Sequence, residues 1–246
     1  MEKNTLCYVK ASHLGYFTMG LPGLATFIAI AYSIVYDFKG STATHCNVRN
    51  ILPTVSACIS RCPQCYIWRI FIALHAAPRF MFAAAWYNWY MQVQVGKSQA
   101  LYGLLVKITI GLHVVENLML VTLTCVSSLE NRNIHENSFV LFMACSWLVF
   151  LLSIVLSKWG NRTHPEDRKS YMLKKLFAVI NIASFSLALY SYFRHNAYCE
   201  PYVYSWFAFF EYVTIYSNIL FHGTATIDVR EYSAGLVLTD LLRKHK

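Results

Sequence analysis

Three apolar stretches of this 246-residue chain carry ionisable side chains of the kinds that acid–base or headgroup chemistry uses. Arg69, His75 and Arg79 fall in one, Lys107, His113 and Glu116 in a second, and Glu211 and His222 in a third. A histidine beside a carboxylate is the minimum for general acid–base catalysis. Guanidinium groups suit phosphate. Spacing assigns these groups to faces. Glu211, Asn218 and His222 are 7 and 4 residues apart, which at about 100° per residue keeps them within about 40° of one another. His113, Glu116 and Asn117 share a face through i+3 and i+4 spacing. Arg69, His75 and Arg79 cover about a third of a helix circumference, and Pro78 beside Arg79 predicts a kink. Counting rise per residue places His75, His113 and Glu211 near mid-bilayer, Arg79 nearer the cytosol and Glu116 in the lumenal half. The candidate catalytic set is therefore His75, His113, Glu116 and Glu211. Arg69, Arg79, Arg194 and His195 are candidates for holding a lipid headgroup. On the expected lumenal side, Thr44-His45-Cys46, Ile134-His135-Glu136-Asn137 and Arg194-His195-Asn196 with Cys199-Glu200 form a second polar group.

The elements that must position these residues are six apolar stretches, at roughly 14–36, 66–92, 101–126, 137–157, 173–193 and 202–224. Each is long enough to cross about 30 Å of hydrocarbon. The composition agrees: 57% of residues are hydrophobic and 13% charged, where a soluble domain has about 25% charged. A charge at the bilayer centre costs about 2.5–3.5 kcal/mol on insertion scales, so the ones present face partners, water or a polar ligand. The net charge of +9 is not a nucleic-acid signature. Thirteen lysines and arginines fall in the segments on one side of the spans and five on the other, which predicts that both termini are cytosolic. The expectation is an all-α polytopic membrane protein, a six-transmembrane-helix bundle. It forms one membrane domain over 1–246, with a lumenal loop at 37–65 and a cytosolic tail at 225–246. Lys174 and Lys175 are read as interfacial lysines at the start of the fifth span.

Cysteine usage divides by side. Cys7 is cytosolic and Cys125 and Cys145 lie in spans, whereas Cys46, Cys58, Cys62, Cys65 and Cys199 fall on the oxidising side. Five is odd, so at least one stays free or pairs elsewhere. Cys46 with Cys199 is the expected disulfide, because both flank polar clusters there. Cys62-Pro63-Gln64-Cys65 has redox spacing without a thioredoxin-like strand–helix context, and zinc would need a second pair of ligands. No metal and no cofactor are expected. The chain has no Gly-x-Ser-x-Gly elbow, His-Glu-x-x-His helix or P-loop.

A set of local motifs in fixed order carries a resemblance. Thr42-Ala43-Thr44-His45-Cys46, Tyr66-Ile67-Trp68-Arg69, Leu74-His75-Ala76-Ala77-Pro78-Arg79-Phe80, Val115-Glu116-Asn117 and Ile134-His135-Glu136-Asn137 open it. Glu166-Asp167-Arg168-Lys169-Ser170-Tyr171, Tyr192-Phe193-Arg194-His195-Asn196, Tyr198-Cys199-Glu200 and Glu211-Tyr212 complete it. Over about residues 14 to 224 the chain resembles the Frag/DRAM/Sfk family of six-span proteins, in the branch that works on glycosylphosphatidylinositol (GPI) anchors after attachment. The resemblance implies a Golgi membrane protein, cycling with the endoplasmic reticulum, that acts where lyso-GPI is reacylated at sn-2 with a saturated fatty acid. GPI-anchored proteins or their lyso-GPI lipid, an acyl donor lipid, the bilayer and a separate acyltransferase are the implied partners, and nucleic acid is not among them. The family offers no catalytic assignment to carry over. It leaves open an acyltransferase, a non-catalytic lipid-binding or scaffold partner, and a membrane-organising or autophagy-related protein. Matched positions that could serve the lipid are His75, Arg79, His113, Glu116, Arg194, His195 and Glu211. The Cys58, Cys62 and Cys65 group departs from the pattern. So does the Arg243-Lys244-His245-Lys246 tail, which resembles a dilysine-type retrieval signal.

Overall fold

The computed structural model describes residues 4–238, so the basic tail ending at Lys246 lies outside the described residues. Six long helices dominate: α1 (Ala11–Tyr36), α4 (Gln64–Met91), α5 (Gln99–Cys125), α6 (Arg132–Gly160), α7 (Pro165–Tyr198) and α8 (Val203–Gly223). Short helices α2 (Phe38–Thr42), α3 (Val55–Ile59) and α9 (Ala225–Asp228) sit between or after them. Five of the long helices are long and apolar enough to cross a membrane. The sixth, α8, has 21 residues, and Glu211, Asn218 and His222 dilute its apolar character.

Several helices outrun the predicted spans because polar caps extend them. The Asn131 side chain accepts from Ile134 N–H at 3.1 Å to start α6. His164 accepts from Glu166 N–H at 3.2 Å, ahead of Pro165 at the first position of α7. Pro at that position wastes no hydrogen bond. Asn161 and Cys199 end α6 and α7 in the left-handed region, at φ 43° and 50°.

Neighbour follows neighbour around a closed ring: α1 packs on α4, α4 on α5, α5 on α6, α6 on α7, α7 on α8, and α8 returns to α1. The helix interfaces are rich in small and hydroxyl residues, among them Ala25, Thr26, Ala29, Ser146, Ser153, Ser184 and Ser217, all buried. Such residues let helices approach closely where lipid supplies no hydrophobic drive. Asn181 ties three helices, accepting from Trp147 Nε1 at 3.0 Å and donating to the Thr214 carbonyl at 2.8 Å. Phe17, Phe27, Leu104, Val140, Val179 and Phe193 instead point outward and are exposed. Large exposed apolar surface of this extent is a lipid-facing surface.

Two features were not read from the sequence. Strand β1 (Asn4–Lys10) pairs antiparallel with β2 (Ser233–Leu238), with Lys10 opposite Ser233 and Val9 opposite Ala234. This brings the first and last described segments to one end of the bundle, called here the terminal end. At the distal end, α3 is drawn in among the helices, so that Val55, Cys58 and Ile59 pack with Ala25, Ala29, Trp68 and Ile72.

A disulfide with an S–S distance of 2.07 Å joins Cys46 to Cys199, across 153 residues of sequence. Hydrogen bonds from Tyr202 N–H to the Arg49 carbonyl (2.9 Å) and from Ile51 N–H to Ser205 Oγ (2.8 Å) hold the same loop on the α7–α8 turn. Cross-links closing long loops contribute about 2–4 kcal/mol. Replacing both cysteines by serine is expected to lower stability by about that amount, read as thermal melting in detergent.

Candidate functional site

Three polar layers cross the bundle from the distal to the terminal end. In the first, Arg69 donates to the Thr124 and Cys125 carbonyls at 3.3 and 3.0 Å and to Glu130 at 2.5 Å. These are the last carbonyls of α5, which otherwise lack helical donors. The Ser127 backbone N–H together with Arg69 holds the Glu130 carboxyl down to about 2. Arg69 is thus a helix-ending clamp.

The second layer lies 10 residues along α4 from Arg69, roughly 15 Å deeper. Here Arg79, His113, Glu116 and His222 converge from α4, α5 and α8. Arg79 Nη2 is 3.2 Å from Glu116 Oε2, 3.4 Å from His113 Nδ1 and 3.3 Å from His222 Nε2. His222 Nε2 is 2.8 Å from Glu116 Oε1. The side chains are 0–3% exposed. Trp86 packs edge-on against His113 at 5.5 Å, and Phe150 lies 5.8 Å from the His222 ring. These rings exclude water and strengthen each charge interaction.

The shortest contact, His222 Nε2 to Glu116 Oε1, sets one proton position. A carboxylate only accepts, so His222 donates from Nε2 to Glu116 and carries its lone pair on Nδ1. His113 Nδ1 faces the donor-only guanidinium of Arg79 and the acceptor-only carboxylate of Glu116 alike, at 3.4 Å each. His222 Nδ1 and His113 Nε2 are buried with no hydrogen-bond partner. The centre therefore presents a free acceptor, His222 Nδ1, and an unpartnered ring nitrogen of His113 beside a fixed positive charge. The ligating atoms of His113, Glu116 and His222 lie within 4.8 Å of one another, as a metal would require. Arg79 already stands among all three, and a metal ion there would face its guanidinium.

The third layer was missed. Lys174 donates to Asp228 and to Ser170, each at 2.6 Å, and Ser170 and Trp86 donate to the same Asp228 carboxylate at 2.6 and 2.9 Å. Lys174 is fully buried, which corrects the reading of it as an interfacial lysine. Asp228 reaches it because α9 folds back beneath the bundle after Gly223. The only sequence hint was the i+4 spacing of Ser170 and Lys174. Lys107 sits exposed on α5, away from all three layers.

Two of the expected catalytic residues stand elsewhere. His75 Nδ1 donates to the Thr18 carbonyl at 2.7 Å. Pro22, four residues on, has no N–H, so this carbonyl lacks its helical partner and His75 supplies one. Glu211 accepts from Val55 N–H at 2.8 Å, in the first turn of α3. The expectation that the His and Glu stripes share one depth is corrected for Glu211. The first turn of α8 is tied to the distal loop, so Glu211 lies at loop level and His222, 11 residues later, reaches the centre. Arg79 and Glu116, expected at different depths, meet across α4 and α5 at 3.2 Å. Glu211→Gln keeps an acceptor for Val55 N–H and is expected to melt within about 1 kcal/mol of the native protein. Glu211→Leu orphans that N–H and is expected to cost about 1–3 kcal/mol, both read by thermal denaturation.

Arg194 and His195 diverge. Arg194 grips Glu200 at 2.6 and 3.0 Å and Tyr190 Oη at 2.8 Å, on the edge of a shallow cleft of about 580 Å³ with Phe193 and Tyr198. His195 turns inward, its Nε2 3.2 Å from Thr44 Oγ1.

These layers define a multi-pass α-helical membrane protein with a closed His–Glu–Arg centre inside its helix ring. The family model described as Frag1/DRAM/Sfk1/Cwh43P N-terminal domain matches residues 11–232, and the chain belongs to that family. It is 36% identical over 229 residues to Post-GPI attachment to proteins factor 2 of Drosophila melanogaster, covering 92% of this chain and 88% of the relative. It is 38% identical over 227 residues to the protein of the same name from Caenorhabditis elegans, with 89% and 85% covered. Acyltransferase PGAP2 of Xenopus tropicalis is 36% identical over 230 residues, with 92% and 90% covered. No solved structure matches the chain.

Proposed function

We propose that this protein remodels GPI anchors by reacylating lyso-GPI at sn-2 with a saturated fatty acid, in the Golgi membrane. The names of its relatives support the pathway. The unpartnered His222 Nδ1 beside Arg79 and Glu116 supports the chemistry. In this reading six helices cross the bilayer, both termini are cytosolic and the distal end is lumenal. Arg194, at the open cleft, binds the inositol phosphate. The free sn-2 hydroxyl reaches the centre as the ring parts beside Pro78 of α4. His222 Nδ1 takes the hydroxyl proton while Glu116 steadies the imidazolium, and the oxygen attacks the acyl donor's carbonyl. Arg79 stabilises the oxyanion. The tetrahedral intermediate collapses, and the leaving group departs with the proton from His222.

The experiment is reconstitution of purified protein with lyso-GPI and an isotope-labelled stearoyl donor, read by mass spectrometry. Labelled diacyl product that falls at least 100-fold in His222→Ala supports the proposal. The complete enclosure of the centre favours one second reading, a scaffold for a separate acyltransferase. Absence of product from protein that restores remodelling in deficient cells selects that reading.

A further inference from the structure

Cys62 and Cys65 take part in none of the three layers. Cys62 lies just before α4 and Cys65 in its first turn, and their Sγ atoms are 3.2 Å apart without being bonded. Closing to the ~2.04 Å of a disulfide needs a shift of about an ångström. Cys62 is exposed and Cys65 is 6% exposed, so one sulfur is reachable and the other is held behind it. Both stand at the distal end, where the Cys46–Cys199 bond shows that thiols oxidise. The spacing alone lacked a thioredoxin-like setting, but the sulfur contact supplies what the spacing could not.

We propose that Cys62 and Cys65 form a reversible disulfide, made and opened by thiol exchange at the exposed Cys62. In the forward direction the Cys62 thiolate attacks one sulfur of a small disulfide such as oxidised glutathione and releases one glutathione thiolate. The Cys65 thiolate then attacks Cys62 Sγ in the mixed disulfide and releases the second. Two protein thiols are oxidised, one disulfide is reduced to two thiols, and the two protein thiol protons end on the released glutathione. Hydrogen bonds from Cys65 and Tyr66 hold the Cys62 thiol below its ordinary range, which favours the attacking thiolate. Cys58 does not compete. It is buried, and burial pushes its thiol up to about 11. Cys65 is four residues before Arg69, so closure acts one turn from the clamp that ends α5. Residues 62 and 65 enclose a very short loop, which contributes little to stability. The bond is thus a switchable modification, unlike Cys46–Cys199. The proposal does not depend on the acyltransferase reading.

Full-length protein in native membranes is denatured in a first alkylating agent, then reduced and treated with an isotopically heavier one, and the peptides are mapped. Cys62 and Cys65 are expected to carry the heavy label in most molecules, alongside Cys46 and Cys199, with Cys58 light. Equilibration in glutathione buffers is expected to open Cys62–Cys65 at a thiol-to-disulfide ratio at least tenfold milder than Cys46–Cys199. Cys62→Ser is expected to turn Cys65 light with no change in melting temperature. Light label on both residues beside a heavy Cys46 and Cys199 overturns the proposal. So does pairing of Cys62 with Cys58, or resistance to exchange equal to that of Cys46–Cys199.

Discussion

Glu116→Gln is expected to lower both stability and lyso-GPI reacylation, and to do so by separable amounts. The substitution leaves the Arg79 guanidinium, 2% exposed, without its counter-charge. Breaking one side of a buried pair costs about 3–5 kcal/mol, whereas replacing the whole pair with uncharged groups is often neutral. Arg79→Met with Glu116→Gln should therefore melt within about 1 kcal/mol of the native protein. Catalysis behaves differently. In the proposed reaction the double variant lacks the carboxylate that orients His222 and the cation that faces the oxyanion, and general acid–base groups are worth about 10²–10⁴ in rate. Its reacylation is expected to remain at least 100-fold down although the fold has recovered. If activity returns together with stability, the second layer is structural glue and the reaction takes place elsewhere.

That outcome turns on geometry the sequence carries only in part. Long apolar stretches with the charges in between made six helices legible, since length and charge segregation are local properties. Angular position was legible too: His113 and Glu116 do share the inward face of α5. Depth was not, because it depends on how far each helix starts outside the ring. The ties of Tyr202 and Ser205 to the distal loop are long-range, and they lower Glu211 out of the centre and bring His222 into it. His75 shows a different limit. Its ring nitrogen answers a carbonyl freed by Pro22 on another helix, and no pattern within α4 announces that. The β1–β2 pairing likewise joins the first and last described segments, which no local pattern announces.

Lys174 and Asp228 set the last large expectation, because their burial is complete and their partners unequal. A lysine side chain ordinarily extends its ammonium to water, but here the ammonium is 0% exposed and 2.6 Å from Asp228 Oδ2. Asp228→Asn leaves that ammonium without an anion, at an expected cost of about 3–5 kcal/mol. Lys174→Met leaves a carboxylate that still accepts from Ser170 Oγ and Trp86 Nε1. Hydrogen bonds to a charged group are worth about 1.5–3 kcal/mol, so this variant is expected to be the milder by about 1–2 kcal/mol. The double variant should exceed either single one in stability, as expected for a buried pair removed whole. Asp228 also joins α9 to α4 and α7, and through α9 the strand that pairs with β1. In Asp228→Asn, limited proteolysis is accordingly expected to cut first in the stretch just after Gly223, before any loop at the distal end. Thermal melting in detergent, followed by peptide mapping of brief digests, measures both effects. An Asp228→Asn protein that melts with the native one and resists cleavage there would show that Lys174 does not hold the terminal end to the ring.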